Sequence, residues 1–167
     1  MIHFITGGER SGKSGFAQQK ALECSDLPYY LATAKVWDGS FKERIDRHQK
    51  DRDNRWTTIE EQIELSSVLP NNSTVVIDCV TLWLTNLYSN NQSDKIKSLE
   101  LAKKEVDQLA KYQGNLFIIS NEIGMGLHGH TQSARDFVEL QGWTNQYIAK
   151  LADRVTFMVS GIPMQVK

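Results

Sequence analysis

The stretch GGERSGKS, residues 7–14, constrains this chain more than any other feature. It follows directly on the short, apolar, β-prone IHFIT. After it, Phe16, Ala17, Lys20, Ala21 and Cys24 recur at helical spacing. A strand running through a glycine-rich turn into a helix is the opening of an alternating α/β fold. Further along, PYYLAT (28–33), WTTIE (56–60), STVVIDC (73–79), NLFIIS (115–120) and RVTFMVSG (154–161) read as strands. Between them, the spacing predicts a charged helix over about 40–54 and a short helix in EQIELSSVL ended by Pro70. It also predicts a helix with an apolar stripe of Ile96, Leu99, Ala102, Val106 and Leu109 that Gly114 ends. Phe137, Leu140, Tyr147, Ile148 and Leu151 mark a long helix, and IPMQVK is a tail suited to a sheet edge.

The expected fold class is therefore α/β, a mostly parallel sheet with helices on both faces. The 167 residues suit one domain spanning 1–167. Ligands of such sheets sit at the carboxyl ends of the strands. That rule brings GGERSGKS, the end of VVIDC and SNEIGMG to one rim.

The first of these segments matches G-x-x-x-x-G-K-[ST], the P-loop, without a gap. Gly7 and Gly12 let the backbone curl so that its N–H groups face phosphate oxygens, and the following helix adds its positive N-terminus. Lys13 is placed to reach the β- and γ-phosphates, and the Ser14 hydroxyl to bind Mg²⁺. Asp78, ending a buried-looking strand, suits the second Mg²⁺ position. The expected ligand is a nucleoside triphosphate with Mg²⁺.

Composition narrows the chemistry. Net charge is −1 with no long run of one sign, which argues against broad nucleic-acid binding. No apolar run approaches the roughly 20 residues that span a bilayer. Cys24 and Cys79 are far apart and read as two buried, reduced thiols of a cytoplasmic protein. The chain lacks the N-K-x-D guanine-reading signature of GTPase switches and is small for a motor, so group transfer to a small acceptor is the default. One candidate nucleophile stands out. In ERIDRHQKDRDNRW, His48 lies among Arg44 and Arg52 at i−4 and i+4. Imidazole can attack phosphorus, and nearby cations offset the charge of a triphosphate. Spacing alone favours an ordinary solvated helix.

The ordered set TGGERSGKS, YLATA, R-I-x-x-H-x-x-x-R, DCVTLWLTNL, SNEIGMG, GWTNQ and ADRVTFMVSGIPMQVK resembles the bifunctional adenosylcobinamide kinase/adenosylcobinamide-phosphate guanylyltransferase family of cobalamin biosynthesis, over nearly the whole chain. The resemblance implies a RecA-like P-loop fold that assembles as a homotrimer. It implies phosphorylation of adenosylcobinamide with ATP or GTP, then transfer of GMP from GTP to that phosphate through a guanylyl-histidine. His48 would be the nucleophile. Nucleotide contacts would fall on Gly7, Gly8, Glu9, Arg10, Ser11, Gly12, Lys13 and Ser14, on Ala32, Thr33 and Ala34, on Gln49, Lys50, Asp51 and Arg52, and on Glu60 and Asp78. Two bottom-up alternatives stand beside it: a simple small-molecule kinase in which His48 only binds phosphate, and a nucleotide-dependent switch. The chain departs from the family in LHGHTQ, which lacks the usual Pro, in Val138 and Glu139 where the family has Arg and Asp, and in Asp53 where it has Pro. The H-x-H of His128 and His130 reads as a surface loop, and Tyr29, Tyr30, Trp83 and Trp143 read as core.

Overall fold

The computed structural model describes residues 1–35 and 53–167. Seven strands form one sheet: β1 (Ile2–Gly7), β2 (Tyr29–Ala32), β3 (Thr57–Glu60), β4 (Thr74–Asp78), β5 (Asn115–Asn121), β6 (Arg154–Val159) and β7 (Ile162–Gln165). Their order is β3-β2-β4-β5-β1-β6-β7. Every neighbouring pair is parallel except β6–β7, so the C-terminal tail does pair antiparallel at an edge. The described residues also form four α-helices, α1 (Lys13–Leu22), α2 (Val80–Asn90), α3 (Lys95–Leu109) and α4 (Gln132–Leu151).

The two faces of the sheet sort by the two-residue alternation of each strand. Ile5, Val76, Phe117, Ile119 and Tyr30 pack with Ala17 and Ala21 of α1. Phe4, Leu31, Ile77, Leu116 and Ile118 face the opposite way, against Trp83, Leu84, Ala102, Val106, Leu140 and Ile148 of α2, α3 and α4. Helices thus cover both faces, as expected. Central strands buried on both sides carry no polar alternation, which is why VVI and LFII are unbroken apolar runs.

Several local expectations need correction. The predicted helix over EQIELSSVL is a single 3₁₀ turn, Leu65–Val68. The Glu61 carboxylate takes the N–H groups of Gln62, Ile63 and Glu64 first, at 2.8, 2.8 and 3.1 Å, and fixes a turn there. Those backbone donors, that of Ile63 foremost, hold its pKa below the ordinary carboxylate value. On α3 the buried line is Ser98, Ala102, Val106 and Leu109, while Ile96 is 57% exposed. Ser98 can be buried because its hydroxyl donates to the Asp94 carbonyl at 2.7 Å. Gly114 does not cap α3, which ends at Leu109. It is needed because a Cβ there would overlap the Ser73 carbonyl oxygen. Cys24 is exposed, since it lies beyond the last turn of α1; Cys79 is buried, and burial pushes its thiol up to about 12. The charged helix expected over about 40–54 falls almost wholly outside the described residues. No helix among the described residues is long and apolar enough to cross a membrane.

Candidate functional site

The parallel strands β4, β5 and β1 stand side by side, and their carboxyl ends bring the three expected segments together. Gly7 of β1 is level with Asn121 of β5, and the Glu122 N–H donates to the Gly7 carbonyl at 3.0 Å. The Asn121 N–H donates to the Thr81 hydroxyl of α2 at 3.1 Å. The rim is therefore tied laterally from the phosphate loop to the end of β4.

The loop itself shows why its glycines are required. Gly12 has φ 92 and a Cβ there would come within 3.2 Å of the Gly161 Cα. At Gly7 a Cβ would meet the Met158 carbonyl oxygen at 2.6 Å. The end of β6 packs under the loop at Gly7 and the β6–β7 turn at Gly12, and the turn holds it further through the Gly161 N–H on the Ser11 carbonyl, 3.0 Å. Arg10 adopts a left-handed φ of 56, an uncommon conformation for a non-glycine residue. Gly8, Glu9 and Arg10 are exposed at the loop's crest, and Ser11 is buried. Lys13 is also buried, its ammonium curled into the loop and donating to the Gly8 carbonyl at 2.5 Å.

Ser14 and Asp78 meet directly. The Ser14 hydroxyl donates to Asp78 Oδ2 at 2.8 Å, across 64 residues of sequence. The same oxygen accepts the Tyr30 hydroxyl at 2.6 Å. Tyr30 was expected to be core. It is 4% exposed, but its polar end is aimed at the site. Strand periodicity puts Tyr30 and Ala32 on one face of β2, and the pairing of β2 with β4 sets Ala32 level with Asp78.

Thr33, expected to touch nucleotide, has a buried side chain with another task. Its hydroxyl donates to the Cys79 carbonyl and accepts the Cys79 N–H, both at 2.8 Å, while its own N–H donates to the Asp78 carbonyl at 3.1 Å. The Asn86 amide of α2 donates to the Thr33 carbonyl at 2.9 Å. This clamp fixes the backbone that presents Asp78. Ala32 and Ala34 are half-buried beside it. Glu60 is exposed at the end of β3, level with Ala32 and two strands from Asp78, about 10 Å. His48, Gln49, Lys50, Asp51 and Arg52 lie outside the described residues.

Of the departures from the family pattern, Asp53 precedes β3 and pairs with Arg55 at 2.6 Å, and the others fall on α4 and the loop before it. Glu139 pairs with Lys95, which also reaches Asp136 at 2.8 Å and lies over the Trp143 ring at 5.4 Å. Val138 is half-buried, near Gly124. His128 and His130 are exposed. Trp83 is core, and its indole N–H donates to the Ile63 carbonyl at 2.9 Å, whereas Trp143 is 38% exposed.

Comparison with known proteins gives a consistent result. The sequence profile described as "Cobinamide kinase / cobinamide phosphate guanyltransferase" matches residues 3–166. The chain is 36% identical over 171 residues to the bifunctional adenosylcobalamin biosynthesis protein CobP of Pseudomonas aeruginosa, covering 100% of this chain and 98% of that one. It is 31% identical over 182 residues to the bifunctional adenosylcobalamin biosynthesis protein CobU of Escherichia coli, covering both in full. Among solved structures, a Pyrococcus horikoshii OT3 protein superposes with TM-score 0.53 at 9% identity, over 99% of this chain and 85% of that one. At that identity the likeness concerns the fold alone.

If Tyr30 orients Asp78, Tyr30→Phe should weaken GTP binding in the presence of Mg²⁺ by about 10- to 150-fold, the equivalent of one hydrogen bond to a charged group. Isothermal titration checks this. Affinity equal to wild type would show that Ser14 alone suffices to hold the carboxylate.

Proposed function

The chain belongs to the cobinamide kinase/cobinamide phosphate guanyltransferase family, and on that premise we propose that it carries out both reactions on one nucleotide cradle. It phosphorylates the alcohol of adenosylcobinamide with ATP or GTP. It then transfers GMP from GTP to that phosphate, giving adenosylcobinamide-GDP and pyrophosphate. The observation that carries the reading is the convergence of Ser14 and Asp78 on one point beside the phosphate loop.

That pair also tests whether the residues fit a metal. A hydroxyl and a carboxylate oxygen 2.8 Å apart are hard oxygen donors. Two protein oxygens, with the remaining positions left to water and phosphate, match what Mg²⁺ requires. When bound there, the ion would offset negative charge on the triphosphate. The chain's own groups supply the rest. Loop N–H groups and the α1 N-terminus attract phosphate oxygens. Lys13 exchanges its bond to the neutral Gly8 carbonyl for one to phosphate, in which donor and acceptor both carry charge.

In the first reaction the acceptor alcohol oxygen forms a bond to the γ-phosphorus. The β–γ bridging bond breaks, and its electron pair leaves with the nucleoside diphosphate. In the second, a ring nitrogen of His48 bonds to the α-phosphorus and pyrophosphate departs. The acceptor phosphate oxygen then attacks the same phosphorus, the P–N bond breaks, and His48 is restored. Both are in-line displacements in which positioning and charge stabilisation dominate. Arg44 and Arg52 flank His48 in sequence and would keep its imidazole neutral. Gln49, Lys50, Asp51, Arg52 and Glu60 are assigned to the guanine nucleotide. The enzyme would act in the cytoplasm, where its nucleotides are.

The proposal includes a homotrimer. Ile162, Met164 and Val166 are 54–66% exposed along the β7 edge, an apolar strip suited to burial between subunits. Sedimentation equilibrium should give a mass of about three chains, and a monomer at micromolar concentration would remove this part.

After incubation with GTP and Mg²⁺, mass spectrometry should find a GMP adduct on His48, acid-labile and base-stable. His48→Asn should abolish the adduct while leaving γ-phosphoryl transfer to adenosylcobinamide. An adduct on another residue, or none, would refute the covalent route.

A further inference from the structure

The two reactions proposed above differ in their demand for a base. A phosphate monoester already carries the negative oxygen that attacks the α-phosphorus, and a neutral imidazole nitrogen has no proton to lose before it attacks. An alcohol must lose its proton as its oxygen bonds to the γ-phosphorus. The kinase half alone therefore needs a proton acceptor beside the phosphate loop.

Resting on that functional reading, we propose that Glu122 is this acceptor. Its carboxylate takes the proton of the acceptor alcohol as the oxygen–phosphorus bond forms. The electron pair of the broken β–γ bridge leaves with the nucleoside diphosphate, and Glu122 later returns the proton to water.

Position selects Glu122 among the carboxylates of the described rim. It follows β5, the strand between the phosphate-loop strand β1 and the Asp78 strand β4, so its strand lies about 5 Å from β1. Asp78 is committed to Ser14 and Tyr30. The Glu61 carboxylate is occupied by three backbone N–H groups. Glu60 ends β3, four strands from β1, about 19 Å away. Glu9 rides on the exposed crest of the loop that must wrap the phosphates. Asn121, level with Gly7, can hydrogen-bond but cannot take a proton.

The surroundings of Glu122 are built as a support. Its N–H is fixed to the Gly7 carbonyl at 3.0 Å. The preceding residue is held from two sides: the Asn121 N–H by Thr81 at 3.1 Å, and the Asn121 carbonyl by the Asn145 amide at 3.3 Å. Asn145 is in turn locked with Ser120 at 2.7 Å and Gln141 at 3.1 Å in a buried network. The half-buried Glu122 carboxylate accepts the Gly124 N–H at 3.1 Å. A Cβ on Gly124 would approach that oxygen to 3.2 Å, so glycine gives the carboxylate its place. This shell gives Ser120, Asn121 and Gly124 of SNEIGMG and Asn145 of GWTNQ a task that phosphate binding does not. A catalytic group needs such rigid backing to keep its geometry.

The test is Glu122→Gln in the full-length enzyme, assayed separately for its two halves. The amide keeps an oxygen for Gly124 but cannot take a proton. Transfer of γ-label from ATP to the cobinamide alcohol should fall about 10²- to 10⁴-fold. Guanylylation of the protein by α-labelled GTP, and its passage to acceptor that is already phosphorylated, should be unchanged. Formate should restore part of the alcohol phosphorylation in Glu122→Ala. If both halves fall together, Glu122 is a structural residue and the proposal is overturned. Unchanged alcohol phosphorylation overturns it too, and so does a Glu122→Ala enzyme that formate leaves inactive. A wild-type enzyme that never phosphorylates the alcohol overturns the functional reading itself, and the base with it.

Discussion

The hydrogen bond from Ser14 to Asp78 Oδ2 joins the start of α1 to the end of β4, and the rest of the site is arranged so that this bond can form. β1 and β4 are not neighbours; β5 runs between them, so the phosphate loop and Asp78 face each other across one strand. The gap is about 10 Å at the level of the strands. It is closed because α1 turns back over β5, with Ala17 and Ala21 small enough to bring the helix down on Ile119 and Phe117. On the other side, Tyr30 holds the same carboxylate oxygen and Thr33 clamps the backbone behind it. Asn86 fixes Thr33 in turn. Every link in that series is a buried or half-buried hydrogen bond, the kind whose loss costs more than its formation gains.

Two chemistries on one cradle need little extra machinery. Both are displacements at phosphorus on the same triphosphate, and both rely on the same cations and loop donors. What differs is the atom attacked and the fate of one proton. The proposed nucleophile, His48, belongs to the stretch between β2 and β3, and the proposed base, Glu122, to the loop after β5. Placing the two on different connections lets each reaction have its own residue without disturbing the shared part.

Legibility in the sequence followed the range of the interactions. The phosphate loop, the apolar central strands and Asp78 at a strand end are set by residues close in sequence, and they could be read directly. α2 was present in the sequence as DCVTLWLTNL but carried no clear period, because Trp83, Leu84 and Leu87 are buried along with Asn86. Gly114 looked like a helix stop because what requires it, the Ser73 backbone, is more than forty residues away. The role of Tyr30 depends on which strand lies beside β2, and only the sheet order supplies that. Thr33 is a motif residue whose side chain holds the site together through Cys79, a task that only the pairing of β2 with β4 makes visible. Ser98 replaced Ile96 on the buried line because a local hydrogen bond made a polar residue cheap to bury.

The central claim is that guanylyl transfer proceeds by two displacements at one phosphorus. The most direct measurement is stereochemical. GTP made chiral at the α-phosphorus by sulfur substitution is used as donor, with phosphorylated adenosylcobinamide as acceptor, and the configuration of the product is determined. Two in-line displacements, the first by the histidine, predict net retention. Net inversion would mean a single direct transfer and would contradict the account.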